Sequence, residues 1–577
     1  MFKIYRDLKP FWLMLMSALV LIALQVMSDL YLPTIMSNII NNGIMKIPPD
    51  VPYIWSTGGF MLLIAFGGVI CAVLASFFGS KTAIGLGRIL RNKVFNRVES
   101  FSLHEFDKFG ASTLITRTTN DIIQIQTVTI LIITMMVRSP IMFVGGIIMA
   151  YSKDVWLTRI LVFALPAIAI VIGLAIIFVM PLFKQVQAKL DKINLVLREN
   201  LTGMRVIRAF NRFDHEKVRF QKANQDITHT YITVNRIMAF LMPMMMLIMN
   251  VVMVCILWFG SKRIGAGDMN LGALFAFTQY AMQIMFSLLM FTMMFIMVPR
   301  AQAAAERVNQ VLETEPGIVD AEQTNHADVE RGHVEFKNVT FSYHGAEEPA
   351  ISNISFSAKP GETTAIIGST GSGKTTLVNL IPRFYDTDSG DVLVDGVSVK
   401  EMSQQELRHK IGFVPQKAIL FTGTITENLR YGKDDASDEE IRYAAQVAQA
   451  TDFIGEMSEG YDTILSEGGL NLSGGQKQRI SIARALVRRP EIYIFDDTFS
   501  ALDFKTDAKL RAALKKETAD ATVIIVAQRV GTVMDADRII VLDEGTVVGI
   551  GTHKELMISC DIYREIVSSQ LSEEELA

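Results

Sequence analysis

The sequence predicts a multi-pass α-helical membrane domain, with six spans and long cytoplasmic helical extensions, fused to an α/β P-loop domain. Apolar residues make up 50% of the 577 residues, and the long uncharged runs are confined to the first 300 or so. Beyond about residue 330 the composition is that of an ordinary α/β domain containing a phosphate-loop motif. A chain of this length exceeds a single core. We therefore expect a transmembrane domain at 1–300, a linker at 301–332 and a nucleotide-binding domain at 333–577.

Six apolar stretches are long enough to cross a membrane, which takes about 20 residues. They are 11–31, 54–79, 128–152, 157–180, 238–260 and 271–298. The long connecting segments 81–121 and 181–237 are rich in Lys and Arg, whereas the other connections are short and carry few charges. The positive-inside rule therefore predicts that the N-terminus, both long segments and the C-terminal domain are cytoplasmic. The apolar periodicity of the long segments predicts helical extensions of the spans.

Four polar residues within the predicted spans are candidate cavity residues, because polar groups are costly in a membrane. They are Asp29, Arg138, Gln279 and Gln283. Alternatives remain open: Asp29 near the water-exposed end of its helix, Arg138 snorkelling to a boundary, and the glutamines bonding between helices. Methionine is concentrated in 238–297, which fits either a cavity that accepts several shapes or ordinary packing.

The phosphate-loop motif lies between a short apolar run at 364–367 and a segment at 377–380 that begins a helix. This strand–loop–helix context predicts that backbone N–H groups bind phosphate oxygens. Lys374 is expected to reach the β- and γ-phosphates, and Thr375 to bind Mg²⁺. The predicted nucleotide-binding residues of the loop are Gly368, Ser369, Thr370, Gly371, Ser372, Gly373, Lys374, Thr375 and Thr376.

Further motifs follow the loop in a fixed order. Gln416 ends the run Phe-Val-Pro-Gln, and an apolar strand at 492–496 ends in the carboxylate Asp496. Asp503 ends the run Ser-Ala-Leu-Asp. Between Gln416 and that strand lies an LSGGQ sequence formed by Leu472, Ser473, Gly474, Gly475 and Gln476. This ordered set resembles the ATP-binding cassette (ABC) family, and together with six fused spans it resembles ABC exporters of the multidrug type.

The resemblance implies a role for each of these residues, with ATP and Mg²⁺ as the bound groups. Tyr343 would stack on adenine, Gln416 would contact Mg²⁺ and the lytic water, and Asp496 would organise Mg²⁺. Leu472 to Gln476 would reach the γ-phosphate of an ATP held by a second cassette, with Asp503 in the adjoining D-loop. The working unit would then be a dimer, and inserts near 106–115 and 199–210 would be coupling helices.

Two positions depart from the family pattern. Asp497 stands where Glu usually follows the Walker-B aspartate, and Gln528 stands where a switch His is usual. A general base must lie within hydrogen-bond reach of the proton that it takes, and Asp is one methylene shorter than Glu. Gln cannot become cationic, so developing charge is stabilised less. Weak hydrolysis at an intact binding site is therefore expected, although a small shift could let Asp and Gln suffice.

These departures, beside an intact LSGGQ, resemble the degenerate-site subunit of a heterodimeric exporter. We expect a related partner chain with Glu after Walker B and a switch His, membrane lipid as surroundings, an amphipathic substrate, and a bacterial plasma membrane. The alternatives are a homodimeric lipid or drug flippase and a non-transporting ATP-sensing regulator. The net charge of −4 gives no general affinity for polyanions, so no nucleic acid partner is expected, and three dispersed cysteines offer no metal spacing.

Overall fold

The fold consists of two units, described over residues 1–321 and 331–570 of a computed structural model. One unit comprises Met1–Glu99 and Ser112–Thr314, and the other comprises Ser100–Ala111 and Glu315–Ala577. The short segment 100–111, which overlaps the first predicted coupling insert at 106–111, therefore belongs with the C-terminal unit. Residues 322–330 of the predicted linker and 571–577 of the predicted C-terminal domain lie outside the described residues.

All regular secondary structure in residues 1–321 is helical. Its α-helices are α1 Phe2–Tyr5, α2 Trp12–Asn38, α3 Val51–Glu99, α4 Leu103–Phe109, α5 Ala111–Thr116, α6 Ile122–Leu131, α7 Val137–Lys153, α8 Val155–Thr202, α9 Met204–Ala209, α10 Phe213–Gly265 and α11 Leu271–Glu313. Turns of 3-10 or π helix join neighbouring helices at Arg6–Phe11, Ile39–Ile44, Arg117–Asp121 and Ile132–Met136.

Six helical stretches within the described residues are long and apolar enough to cross a membrane. They are Lys3–Ile44, Val51–Glu99, Ala111–Lys153, Val155–Thr202, Phe213–Gly265 and Leu271–Phe291. Each overlaps one predicted span, and several continue well beyond the length that a bilayer requires. The six spans and the long helical extensions predicted from the sequence are therefore confirmed.

Helix α11 continues through 301–313, where the sequence predicted the start of the linker. The reason is an apolar stripe hidden among polar residues. Ala301, Ala304, Ala305, Val308 and Val311 recur at intervals of three or four residues and are fully buried. One face of an otherwise polar helix is thus packed inside the unit, which stabilises the helix against its polar composition.

The C-terminal unit is an α/β fold around a mixed sheet. Its strands are β1 Val334–Phe341, β2 Ile351–Ala358, β3 Thr363–Gly368, β4 Ser389–Val394, β5 Val397–Ser398, β6 Ile411–Val414, β7 Gly423–Thr424, β8 Ile464–Leu465, β9 Ile492–Asp496, β10 Thr522–Val526, β11 Arg538–Asp543 and β12 Thr546–Gly551. Its further α-helices are α12 Lys374–Leu380, α13 Gln404–His409, α14 Ile425–Arg430, α15 Asp438–Val447, α16 Thr451–Gly455, α17 Gly474–Arg488, α18 Phe504–Glu517, α19 Val530–Val533, α20 His553–Ser559 and α21 Asp561–Gln570.

The strand order brings the predicted motifs to one edge. In the order β12-β11-β3-β10-β9-β6, strands β11, β3, β10, β9 and β6 are parallel and β12 is antiparallel. The antiparallel sheet β2-β1-β4-β5 and the small pair β7-β8 complete the unit. The phosphate loop follows β3, whereas Gln416, Asp497 and Gln528 follow β6, β9 and β10. Parallel strands place their carboxyl ends together, where α/β sheets bind ligands.

Candidate functional site

A cavity of about 370 Å³ lies at this sheet edge. It brings together the predicted phosphate loop, the Walker-B aspartate and both departing positions. The lining residues are Tyr343, Ala350, Thr370, Gly371, Gly373, Lys374, Thr375, Thr376, Gln416, Asp496, Asp497, Val526 and Gln528. Ala350 and Val526 are the lining residues that sequence reasoning missed, because small apolar residues carry no motif signal.

The phosphate loop needs glycine at two positions for reasons visible in its backbone. A Cβ on Gly368 would lie 2.1 Å from the carbonyl oxygen of Leu542. Gly373 has a φ of +92°, and its Cβ would lie 2.6 Å from Ile351 Cγ2. The loop is thus packed too closely for side chains at these positions, and it leads into the N-terminus of α12, an arrangement that is typical of phosphate sites.

The Lys374 ammonium lies within the loop. Its Nζ donates to the carbonyl oxygens of Gly368 at 2.9 Å and Ser369 at 2.6 Å. Burial lowers the pKa of Lys374, and the negative charges of Asp497 and Asp496 oppose that shift. The cation thus lies among neutral oxygens that a phosphate could replace as partners.

Thr375 and Asp496 meet across the site. Thr375 Oγ1 donates to Asp496 Oδ1 at 3.0 Å. Burial raises the pKa of Asp496, the hydrogen bond from Thr375 lowers it, and the adjacent Asp497 charge raises it. A hydroxyl and a carboxylate oxygen at this separation are the hard oxygen donors that Mg²⁺ prefers, so the pair fits the predicted ion.

Asp497 is held by two glutamines. Gln416 Nε2 donates to Asp497 Oδ2 at 3.1 Å, and Gln528 Nε2 donates to the same oxygen at 3.0 Å. The backbone of Asp497 has a φ of +44° and a ψ of +33°, and its N–H bonds to Val526 O at 2.9 Å. A left-handed residue other than glycine costs about 1 kcal/mol or more and is common at functional sites. The shorter carboxylate is therefore fixed in a strained turn and shared by two neutral amides.

Tyr343 stands at the side of the cavity. Its hydroxyl and Thr376 Oγ1 are hydrogen-bonded at 3.0 Å. The edges of Phe341 and Tyr385 contact the ring at centroid distances of 5.1 and 5.5 Å. The residue is 40% exposed, so the ring is fixed while part of its surface remains available for stacking.

The LSGGQ segment forms the start of helix α17, away from the cavity lining. Ser473 caps the helix, with Gln476 N donating to Ser473 Oγ at 3.3 Å and Ser473 N donating to Gln476 Oε1 at 2.9 Å. Asp503 caps α18 by accepting a hydrogen bond from Thr506 N at 3.0 Å. Both Ser473 and Asp503 are exposed. Within this chain, the structure does not bring Leu472 to Gln476 to the phosphate loop.

Three of the four polar residues predicted inside spans meet in the helical unit. Arg138 Nη2 donates to Asp29 Oδ2 at 3.0 Å, and Gln283 Nε2 donates to the Asp29 backbone oxygen at 3.2 Å. Gln279 is exposed and is not part of this cluster. Tyr280, which sequence reasoning missed, is fully buried and donates to Leu30 O at 2.9 Å. The sequence signal for this contact is a tyrosine hydroxyl within the predicted span 271–298.

Sequence comparisons agree with this architecture. Residues 14–288 match the family described as ABC transporter transmembrane region, and residues 351–500 match the family described as ABC transporter. An uncharacterized ABC transporter ATP-binding protein of Mycobacterium tuberculosis is 41% identical over 98% of this chain and 97% of its own length. The uncharacterized ABC transporter ATP-binding protein YfiB of Bacillus subtilis is 38% identical over 99% of this chain and 99% of its own length.

More distant relatives have more specific names. An ATP-dependent lipid A-core flippase of Syntrophus aciditrophicus is 31% identical over 88% of this chain and 83% of its own length. A solved bacterial Atm1-family ABC exporter with ATP bound has a TM-score of 0.81 and 26% identity, covering 97% of this chain and 98% of the other. The chain therefore belongs to the ABC transporter family, as an exporter-type half-transporter with its membrane helices and ATP-binding domain in one polypeptide.

Proposed function

We propose that this chain is the degenerate-site subunit of a heterodimeric ABC exporter for amphipathic small molecules. In this proposal residues 1–300 are the transmembrane domain, 333–577 the nucleotide-binding domain, and both termini are cytoplasmic. A bacterial plasma membrane is supported by the bacterial sources of its relatives. The single observation that carries the proposal is that the Asp497 carboxylate accepts hydrogen bonds from the side-chain amides of Gln416 and Gln528.

Asp497 occupies the position from which a base would act, and its Oδ2 already accepts two hydrogen bonds from glutamine amides. A base must take a proton within hydrogen-bond reach, and these bonds already engage one of the two carboxylate oxygens from which Asp497 would act. Neither amide can become cationic, so negative charge that develops on a phosphoryl group is stabilised less than by a protonated His. Slow hydrolysis at this site follows.

The binding functions of the site are retained. The closely packed loop, Lys374 and the Tyr343 ring fit an adenine nucleotide, and Thr375 with Asp496 and Gln416 would hold Mg²⁺. When bound, Mg²⁺ would neutralise phosphate charge. Lys374 would exchange its carbonyl partners for phosphate oxygens, and Tyr343 would hold the base against the loop. A site that binds ATP and hydrolyses it slowly would keep the two cassettes together for long periods.

The LSGGQ sequence of Leu472 to Gln476, here called the signature, supports the proposal that a second, different chain is the partner. Ser473 is exposed at the start of a 15-residue helix whose positive end can face an anion. Because this helix start does not line the chain's own phosphate-loop cavity, its use requires a second cassette. An intact signature beside an altered base position means that this chain completes a partner's site better than it serves its own. The partner would supply Glu after Walker B and a switch His.

A homodimeric flippase is the second candidate, and the 31% identity to a lipid A-core flippase favours it. In that case Asp497 and Gln528 would have to serve two identical ATP sites. ATPase activity of the purified chain discriminates, because the heterodimer proposal expects very little and a flippase requires turnover. A third candidate is a non-transporting ATP-sensing regulator. ATP-dependent movement of substrate into vesicles that contain this chain and its partner would exclude it.

The test is a mild-detergent pull-down of the tagged chain from its native membranes, followed by intact mass measurement of the complex. We expect one additional chain of similar size and different mass, in equal amount. A complex that contains two copies of this chain and no other would contradict the heterodimer. ATPase activity of the complex and of the chain alone then assigns hydrolysis to one partner or to both.

A further inference from the structure

A second cavity, of about 610 Å³, lies within the helical unit. Half of its lining side chains are methionines, which are flexible and adapt to apolar ligands of different shapes. The lining residues come from the turn before α7 and from α7, α10 and α11: Met135, Arg138, Ser139, Met142, Met249, Met282, Gln283, Phe286, Ser287 and Met290. The wall is therefore mainly apolar and carries a few polar groups, as ligand pockets do.

Arg138 is the one charged side chain among the described residues that line this cavity. Its partner Asp29 lies outside the lining and is less exposed, with 28% of its side chain accessible against 45% for Arg138. The ion pair thus presents its cationic member to the cavity. A guanidinium remains charged in any protein environment, so it requires an anion or hydrogen-bond acceptors wherever water is scarce.

The hydrogen-bonding capacity of Arg138 is only partly used. Its contact with Asp29 runs through Nη2 to a single oxygen, and Asp29 is its one hydrogen-bond partner among the described residues. A guanidinium has five N–H donors and binds carboxylate or phosphate through two of them at once. Gln283 donates to the backbone oxygen of Asp29 at 3.2 Å and so ties the helix that carries Asp29 to α11. A ligand anion could therefore share or take over Arg138 without displacing the helix that carries Asp29.

We infer that this cavity binds amphipathic organic anions, with the acidic head on Arg138 and the apolar body against the methionines and Phe286. Asp29 acts as the internal counter-ion and competes with the ligand for the guanidinium. The inference rests on the proposed function, since it names the substrate class for the exporter. A cationic ligand would instead need Asp29 at the surface of the cavity, where the structure places Arg138.

The experiment measures binding to the full chain in neutral-lipid nanodiscs, without nucleotide or partner and after subtraction of empty discs. The fluorescent probe is 11-(dansylamino)undecanoic acid, compared with its methyl ester and with an analogue that ends in an amine. We expect the acid to bind about 10-fold more tightly than the ester, because only the acid pairs with the guanidinium. The amine should bind no better than the ester.

Three variants assign the preference to residues. Arg138→Met should reduce the affinity for the acid to that of the ester and leave the ester within about two-fold, because the apolar wall is kept. Asp29→Asn should increase affinity for the acid several-fold, because the competing carboxylate is lost. Arg159→Met, which changes an exposed arginine on α8 outside the cavity lining, is the matched control and should leave all three probes unchanged.

Equal binding of acid and ester to the unmodified chain, tighter binding of the amine, or retention of the acid preference by Arg138→Met would each overturn the inference. Should Arg138→Met fail to fold, the probe series on the unmodified chain and Asp29→Asn still decide. Because the measurement needs neither ATP nor a partner, it separates the two proposals. Anion preference in a chain that the pull-down finds only as two copies of itself would refute only the heterodimeric exporter, whereas a demonstrated heterodimer without anion preference would refute only this inference.

Discussion

Gln528 Nε2 lies 3.0 Å from Asp497 Oδ2, so the two positions at which the family resemblance leads us to expect His and Glu are hydrogen-bonded to each other. The two side chains are thus in direct contact, although they follow different strands. The amide of Gln528 stabilises the Asp497 carboxylate in this position. A change at one of the two positions therefore alters the contact that holds the other.

Restoring both positions should create a hydrolytic site. We expect Asp497→Glu with Gln528→His to raise the ATPase rate of the purified chain by at least about 10-fold, because a positioned base and a switch His each contribute to the reaction. Asp497→Glu alone should give a smaller rise. The measurement is phosphate release at a chain concentration high enough for self-association.

The matched control for this prediction is Asp520→Glu, which makes the same change at an exposed aspartate away from the cavity. It should leave the rate unchanged. A purified chain that already turns over ATP rapidly, or a double variant no faster than the original, would contradict the assignment of Asp497 and Gln528 as the cause of slow hydrolysis.

Changing the signature should affect the partner's site and spare the chain's own. Ser473→Gly removes the hydroxyl but costs helix α17 only a few tenths of a kcal/mol, because Gly is an acceptable N-cap. We expect ATPase activity of the complex to fall by about 10-fold, as for loss of one positioned donor. Binding of a fluorescent ATP analogue to the chain alone should stay unchanged. Unaltered activity of the complex would show that this signature is not used.

The Tyr343 ring should contribute to nucleotide affinity through stacking. Tyr343→Ala should weaken ATP binding by about 10-fold, since stacking of a base on an aromatic ring is worth about 1–3 kcal/mol. Tyr343→Phe keeps the ring and loses the bond to Thr376, so its affinity should stay within about two-fold. Titration of both variants with ATP distinguishes stacking from the hydrogen bond; equal losses would assign the effect to the hydroxyl.

Lys410 forms ion pairs that stabilise the C-terminal unit, and this stabilisation is lost at alkaline pH. Its Nζ bonds Asp395 Oδ2 at 2.7 Å and Glu491 Oε2 at 2.9 Å. Burial lowers the pKa of Lys410, but these bonds outweigh burial and raise it above the ordinary value of 10.5. A raised pKa means that the charged form is favoured on folding. The stabilisation is therefore complete below the unfolded-state pKa and disappears as pH rises through the folded-state pKa.

We expect Lys410→Met to destabilise the full chain by about 2–3 kcal/mol at neutral pH, because the largely buried Asp395 carboxylate loses its cation. The difference from the unmodified chain should shrink at pH values above 10.5. Thermal unfolding across this range measures it. Lys417→Met, at an exposed lysine, is the control and should show no such trend. A difference that is constant with pH would exclude the ion pair as its source.

Much of the fold follows directly from sequence, because its signals are local. Spans are set by uninterrupted apolar length, and strands β3 and β9 by short apolar runs next to a motif. Helix α11 shows the limit of a compositional criterion. Residues 301–313 have polar composition, and only the spacing of Ala301, Ala304, Ala305, Val308 and Val311 reveals a buried face. Whether such a stripe packs against another helix depends on the tertiary structure.

For the site, the sequence identified which residues were unusual but not how they contact each other. Gln416, Asp497 and Gln528 follow three different strands, and their meeting depends on the order β10-β9-β6. The pair between Asp29 and Arg138 likewise joins helices α2 and α7 across 109 positions of sequence. Such contacts are set by the arrangement of elements rather than by local preference. No residue spacing within one motif could have predicted them.

Helix α10 has 53 residues, and at 1.5 Å per residue it is about 80 Å long. A bilayer accounts for about 20 of those residues, so some 33 residues, or about 50 Å, lie beyond it. A small tilt of such a helix produces a large displacement at its far end. A tilt of about 10° around the membrane segment sweeps its far tip through about 9 Å, following directly from that length. Met249 lines the Arg138 cavity from α10, so a tilt of this helix would reshape the cavity and displace the far tip at the same time.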